Sequence, residues 1–253
     1  MDGIELALRF SYITNKLRYC GPEEAAEAFM QYIKQRDNAA FVQDCLKRFE
    51  GLYPYLSAIA DKHGKSFTDY DVIEAYWIGN SLLDAFTDED NKAIIKHLGQ
   101  RGLPASMAAK LIEHLPSGLV PHHNFNVYYV GVGNTSGKVA TTLPNMDNCR
   151  ISYGKVVEVV DDQHMVVMTR PLREEQGRLY HGDHEPKTAT YFPDMVKASK
   201  GDTVALHWGF VPCTLSNEQK EQLHKYDNKL MTGLRPAGTS SVPVLLLFWA
   251  PCL

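Results

Sequence analysis

Up to about Leu115 the apolar residues recur with the spacing of helices. Phe41, Val42, Cys45, Leu46 and Phe49 follow one another at offsets of one and four, which places them on one helical stripe. Thr68-Asp69-Tyr70-Asp71 has the form of a capping box and leads into Val72, Ile73, Tyr76, Gly79, Leu82, Leu83 and Phe86 on a single face. Gly21-Pro22, Thr87 with Asp90, and Pro104 mark further helix starts, because proline in a first turn gives up an N–H that has no partner there. The spacing predicts five or six helices and a helical domain over residues 1–118.

After Pro116-Ser117-Gly118 the period changes. Phe125 to Val130 is aromatic and β-branched, as strands are, and Gly131 to Pro144 is rich in Gly, Ser, Thr and Asn. Residues 119–146 therefore read as a connecting strand and linker. Beyond them, Ile151–Val160, Met165–Thr169, Thr188–Phe192 and Val204–Trp208 carry strand signals, interrupted by a long polar insertion from Arg173 to Pro186. Ser216-Asn217-Glu218-Gln219 is a capping box opening a last helix with Leu223, Tyr226 and Leu230 on one face. The expected architecture is α+β: a helical N-terminal domain followed, over residues 147–253, by a small OB-like β-barrel with a C-terminal helix.

Composition narrows the function. The chain has 253 residues, 44% of them hydrophobic and 22% charged, which is the composition of a folded protein. A net charge of -4 without a Lys/Arg run argues against nucleic acid. The tail from Val242 to Leu253 is apolar but shorter than the roughly 20 residues of a membrane span, so it reads as a buried strand or docking segment. Five cysteines, Cys20, Cys45, Cys149, Cys213 and Cys252, form no C-x-x-C pair, and no secretory leader is evident. A reducing cytoplasm is the expected location. There is no P-loop, no H-E-x-x-H and no G-x-S-x-G elbow, and Gly131-Val132-Gly133 lacks the strand–turn–helix setting of a dinucleotide site.

Two segments carry a family resemblance. Cys149-Arg150-Ile151-Ser152-Tyr153-Gly154-Lys155-Val156-Val157-Glu158-Val159 is similar to the opening of the HypC/HupF-type assembly chaperones of nickel-iron hydrogenases. Gly201-Asp202-Thr203-Val204-Ala205-Leu206-His207-Trp208-Gly209-Phe210-Val211 resembles that family's Gly-Asp, apolar run, His-x-Gly-Phe segment, and here too a Ser-capped helix follows. The likeness covers about Asp147 to Met231. It implies a hydrogenase maturation factor without catalytic activity, binding the immature large subunit or a HypD-like scaffold protein. It also implies that Cys149 and His207 hold iron, carried transiently as Fe(CN)2CO. Thiolate and imidazole suit that metal. Leu17-Arg18-Tyr19-Cys20-Gly21-Pro22, Glu74 to Asn80 and Pro121-His122-His123-Asn124-Phe125 look like segments of a poorly characterised prokaryotic family that accompanies hydrogenase genes.

The residues alone also allow other readings. Cys149 and His207 in apolar surroundings fit a core thiol and a core histidine. Neighbouring His122 and His123 on a strand point to opposite faces, so they do not easily share one metal; both are weaker metal candidates, and His123 could join Cys149 and His207 if this strand lies beside the barrel. Cys20, ahead of a helix N-terminus, is a candidate reactive thiol or further iron ligand. His181-Gly182-Asp183-His184 reads as an exposed polar loop, and Tyr76-Trp77 as packing. The rival function is a metal-dependent enzyme or ligand-binding protein with a site between the domains that includes His122 and His123.

Overall fold

The computed structural model describes residues 1–234; the apolar tail and Cys252 lie outside the described residues. Seven α-helices come first: α1 (Gly3–Lys16), α2 (Ala25–Gln35), α3 (Ala39–Arg48), α4 (Tyr53–His63), α5 (Tyr70–Trp77), α6 (Asp88–Gly99) and α7 (Ala105–Glu113). The predicted stripe of α3 is correct at Val42, Cys45, Leu46 and Phe49, while Phe41 faces solvent. The Thr87 capping box forms, with Thr87 Oγ1 accepting the Asp90 N–H. The one expected at Thr68 does not: α5 starts at Tyr70 without a side-chain cap and stops at Trp77, and Ser81–Ala85 is a separate 3-10 turn. Gly79 breaks the run. Its φ of +99° is left-handed, and a Cβ there would lie 2.3 Å from the Tyr226 ring. Replacing Gly79 with Ala is expected to cost about 3 kcal/mol through backbone strain and overpacking, read as a lower urea midpoint.

The strand expected at Phe125–Val130 is helical instead. His123–Phe125 forms the short helix α8, continued by a π-helical turn over Asn126–Gly131. His122 caps it, its Nδ1 accepting the Asn124 N–H at 3.0 Å. Every residue of this segment is buried. A helix surrounded by protein shows no polar face, and its aromatic and β-branched content then mimics a strand. The expected linker is also packed: a Cβ on Gly133 would sit 1.8 Å from the Val139 carbonyl oxygen, and the segment ends in α9 (Leu143–Cys149). One apolar core runs across residues 118 and 146, joining Phe10 and Trp77 to Phe125, Ile151, Phe210 and Tyr226.

The C-terminal part holds β1 (Ser152–Val159), β2 (His164–Thr169), β3 (Leu172–Glu175), β4 (Arg178–His181), β5 (Glu185–Thr190) and β6 (Thr203–Leu206). The antiparallel sheet has the order β5-β2-β1-β6, with a bulge in β1 between Val156 and Glu158. A bridge from Thr190 to Phe210 brings its open edge back toward the chain after β6. The polar insertion is largely ordered: β3 and β4 form a hairpin turning at Gln176-Gly177, both left-handed. α10 (Asn217–Gly233) opens with the predicted Ser216–Gln219 capping box and buries Leu223, Tyr226 and Leu230. The protein is thus α+β, helical first, then strands, then a helix. No helix among the described residues is long and apolar enough to cross a membrane.

Candidate metal centre

Three elements distant in sequence meet beneath α5. His123 opens α8, Cys149 closes α9, and His207 follows β6. The tight turn after it, Trp208 (φ 52°) and Gly209 (φ 69°), folds the chain back so that the His207 N–H donates to the Phe210 carbonyl. The Trp208 N–H donates to the Asn148 carbonyl at 2.6 Å, tying this turn to α9. His123, Cys149 and His207 each offer a ligand atom within 4.8 Å of the others. All three are buried, with exposures of 6%, 7% and 1%. Trp77 tilts over His123 at 4.6 Å between ring centroids and stacks on Phe10 at 5.0 Å.

The hydrogen bonds decide which atoms are free. His207 Nδ1 lies 2.9 Å from the Phe10 carbonyl, which can only accept, so the proton sits on Nδ1. Its Nε2 then carries a lone pair, is buried, and has no hydrogen-bond partner. For His123 two tautomers compete. Tyr76 Oη is 3.0 Å from both His123 Nδ1 and the Gly51 carbonyl, but owns one proton. If Tyr76 donates to His123, then His123 Nε2–H donates to the Cys149 carbonyl at 3.0 Å, and Gly51 loses its donor. If Tyr76 donates to Gly51, His123 Nδ1–H donates to Tyr76 and Nε2 is left open, 3.8 Å from Cys149 Sγ. In that second state both imidazoles donate through Nδ1 and would be free to hold a cation through Nε2. Outer partners of this kind orient histidine ligands at metal sites.

Electrostatics keeps the three side chains neutral. Burial pushes His207 down to about 4. It pushes His123 well below the ordinary range, with His207 and His122 adding to the effect. Burial also raises the Cys149 thiol, Cys20 adding to the shift and Trp208 opposing it. A soft or borderline divalent cation would displace the Cys149 proton and settle among two neutral nitrogens and one thiolate, a donor set that fits iron or zinc. A cavity of about 40 Å³ lined by the three residues adjoins the cluster, room for roughly three water-sized ligands at 10–15 Å³ each.

The other candidates fall outside this trio. His122 faces the backbone of Trp77 and Ile78 and the charge of Asp227, and burial holds it at about 4. Neighbouring histidines do diverge, though on a helix rather than a strand. Cys20 lines the same cavity. Its thiol is pushed up to about 12 by burial and by Glu50, not lowered by a helix end: α2 begins only at Ala25. His181 closes β4 half-buried, with its Nε2 2.8 Å from Asp227 Oδ2, while Asp183 and His184 after it are exposed. Tyr76 and Trp77, read as packing, form the cluster's wall and its hydrogen-bonded outer partner. No local signal in the sequence marks them, because they reach the cluster from another helix.

These features define an α+β protein with a buried His–Cys–His cluster suited to a transition metal. The chain belongs to DUF6390, a family of unknown function, which matches it over residues 1–237. Neither a curated protein nor a solved structure matches the chain.

Proposed function

We propose that this protein is an iron-binding assembly factor for nickel-iron hydrogenases. It would hold Fe(CN)2CO as cargo on Cys149, His207 and His123 and engage the immature large subunit or a HypD-like scaffold. The observation that carries the reading is convergence. Cys149 and His207 belong to the two separate segments that resemble HypC-type chaperones, and both supply atoms to one cluster within 4.8 Å. In that family the cysteine stands at the chain start beside a free amine. Here Cys149 is internal, and His123 supplies a third donor in the amine's place. The small cavity leaves space for diatomic ligands on the iron.

The test is the infrared spectrum of protein purified anaerobically from a host with intact hydrogenase maturation. Cyanide and carbonyl bands are expected in the wild type and absent in Cys149→Ala, with the large subunit co-purifying. No bands and no large subunit would sink the reading. In vitro, Tyr76→Phe is expected to weaken Fe(II) or Co(II) binding by about 10- to 100-fold, as loss of an outer-sphere partner does. An unchanged affinity would show that His123 needs no such partner.

A second reading is a resident metal in a metal-dependent enzyme or binding protein. The burial of all three donors favours it, since such a site retains its ion. Metal at full occupancy after dialysis against chelator, from a host lacking the maturation machinery, would select this reading over the carrier.

A further inference from the structure

The outer face of the sheet is not an ordinary solvated surface. In β1 the core-facing residues are Ser152, Gly154 and Val156, so Tyr153, Lys155 and Val157 project to the other side. Register puts Lys155 opposite Met168 on β2, with Arg170 two residues further on the same face. α10 lies across this face and presents Lys220, Leu223, His224 and Asp227 to it, at offsets of three, four and seven. Between helix and sheet is a cleft of about 650 Å³, within the usual size of small-molecule sites, about 300–1,000 Å³.

Charge singles the cleft out. Its lining holds four Lys or Arg side chains and three histidines against one carboxylate, Asp227, in a chain whose net charge is -4. The lone carboxylate is already engaged by Asn124, Tyr128 and His181. Arg150 pairs with Asp147, and Lys220 with Glu221. Lys155 has no such pair among the described residues, and Arg170 bonds only to the carbonyls of Gly182 and His181. Two cations therefore face a concave, half-apolar space without a counter-charge. An ammonium and a guanidinium recognise phosphate; Arg170, anchored through Nε and Nη2, keeps its Nη1 donors for it, and Tyr153, Val157 and Met168 offer an apolar wall beside them.

We propose that this cleft binds a phosphorylated small molecule of nucleotide size, with phosphate held by Lys155 and Arg170 and the organic part against Tyr153, Val157 and Met168. The site is separate from the His–Cys–His cluster and stands or falls independently of it.

Calorimetric titration of the full chain in chelator, with ADP and with inorganic phosphate, tests this. ADP is expected to bind, and phosphate more weakly. Lys155→Glu, at an exposed strand position, is expected to weaken ADP by roughly 10- to 100-fold, the size of a lost charge-assisted contact. Arg170→Gln should do the same. Because Arg170 also supports the hairpin, unchanged thermal midpoints must accompany these losses, and Lys155→Glu decides if Arg170→Gln is unfolded. No binding of either probe at millimolar concentration overturns the proposal. So does ADP binding that survives Lys155→Glu, or phosphate bound as tightly as ADP.

Discussion

Acidifying the metal-free protein from pH 7 to pH 4 is expected to remove about 6 kcal/mol of stability, about 3 kcal/mol from each of two histidines. His122 and His207 are both lowered from 6.5 to about 4, and in each case burial is the leading cause. An unfolded chain takes up these protons near 6.5, whereas the folded protein refuses them until about 4. Across that window the unfolded state binds more protons, so stability rises with pH and acid drives unfolding. His123 shifts in the same direction and adds to the loss. Domains have about 5–15 kcal/mol in total, so the transition should begin well above the range where carboxylates titrate. Urea unfolding followed by tryptophan fluorescence at pH 7, 6 and 5 measures it. Equal stability at pH 7 and pH 5 would overturn the argument. With a divalent cation bound, His207 Nε2 is occupied, and the acid transition should move to lower pH.

The second large effect lies at Asp227. Its Oδ1 accepts from Asn124 Nδ2 at 2.7 Å and from Tyr128 Oη at 2.8 Å, and Oδ2 meets His181. Burial works to raise this carboxyl, but the His181 contact, the nearby Arg150 charge and the Asn124 bond outweigh it and hold the group at about 2. Asp227→Ala removes the acceptor and strands the Tyr128 hydroxyl and one Asn124 amide hydrogen in the core. Each buried donor left without a partner costs about 1–3 kcal/mol, so a loss of about 3 kcal/mol is expected. Asp227→Asn keeps the shape and one acceptor and is expected to cost less. Because the carboxyl is lowered, its contribution is complete above about 4 and fades only as pH falls toward 2. The Ala variant should therefore be weaker throughout the neutral range. A loss under about 1 kcal/mol by equilibrium unfolding, the size of an ordinary exposed contact, would refute this.

What could be read from the sequence depended on distance along the chain. Most local signals held: the Thr87 and Ser216 capping boxes formed as spaced, though the one at Thr68 did not, and β1, β2 and β6 lie within two residues of their expected limits. The α+β class followed from them. Signals that depend on surroundings misled, above all Phe125–Val130, where complete burial erased the polar face that distinguishes a helix. The site was half legible. Cys149 and His207 stood out through the segments around them, and His123 as a conditional third member. Tyr76, Trp77 and the Phe10 carbonyl, which set the imidazole tautomers, have no local mark because each reaches the cluster through packing. The cleft under α10 was missed for the same reason: Lys155, Arg170 and Lys220 face one another only after the helix folds back.

The bond from His207 Nδ1 to the Phe10 carbonyl spans 197 positions. On the ribosome, α1 emerges early while the residue whose proton it positions is among the last of the described chain to be made. A nascent chain holding α1, His123 and Cys149 but not yet His207 has an incomplete donor set and nothing to hold an ion against competing thiols in the cell. If the cluster takes a metal as proposed, loading would be a property of the finished molecule.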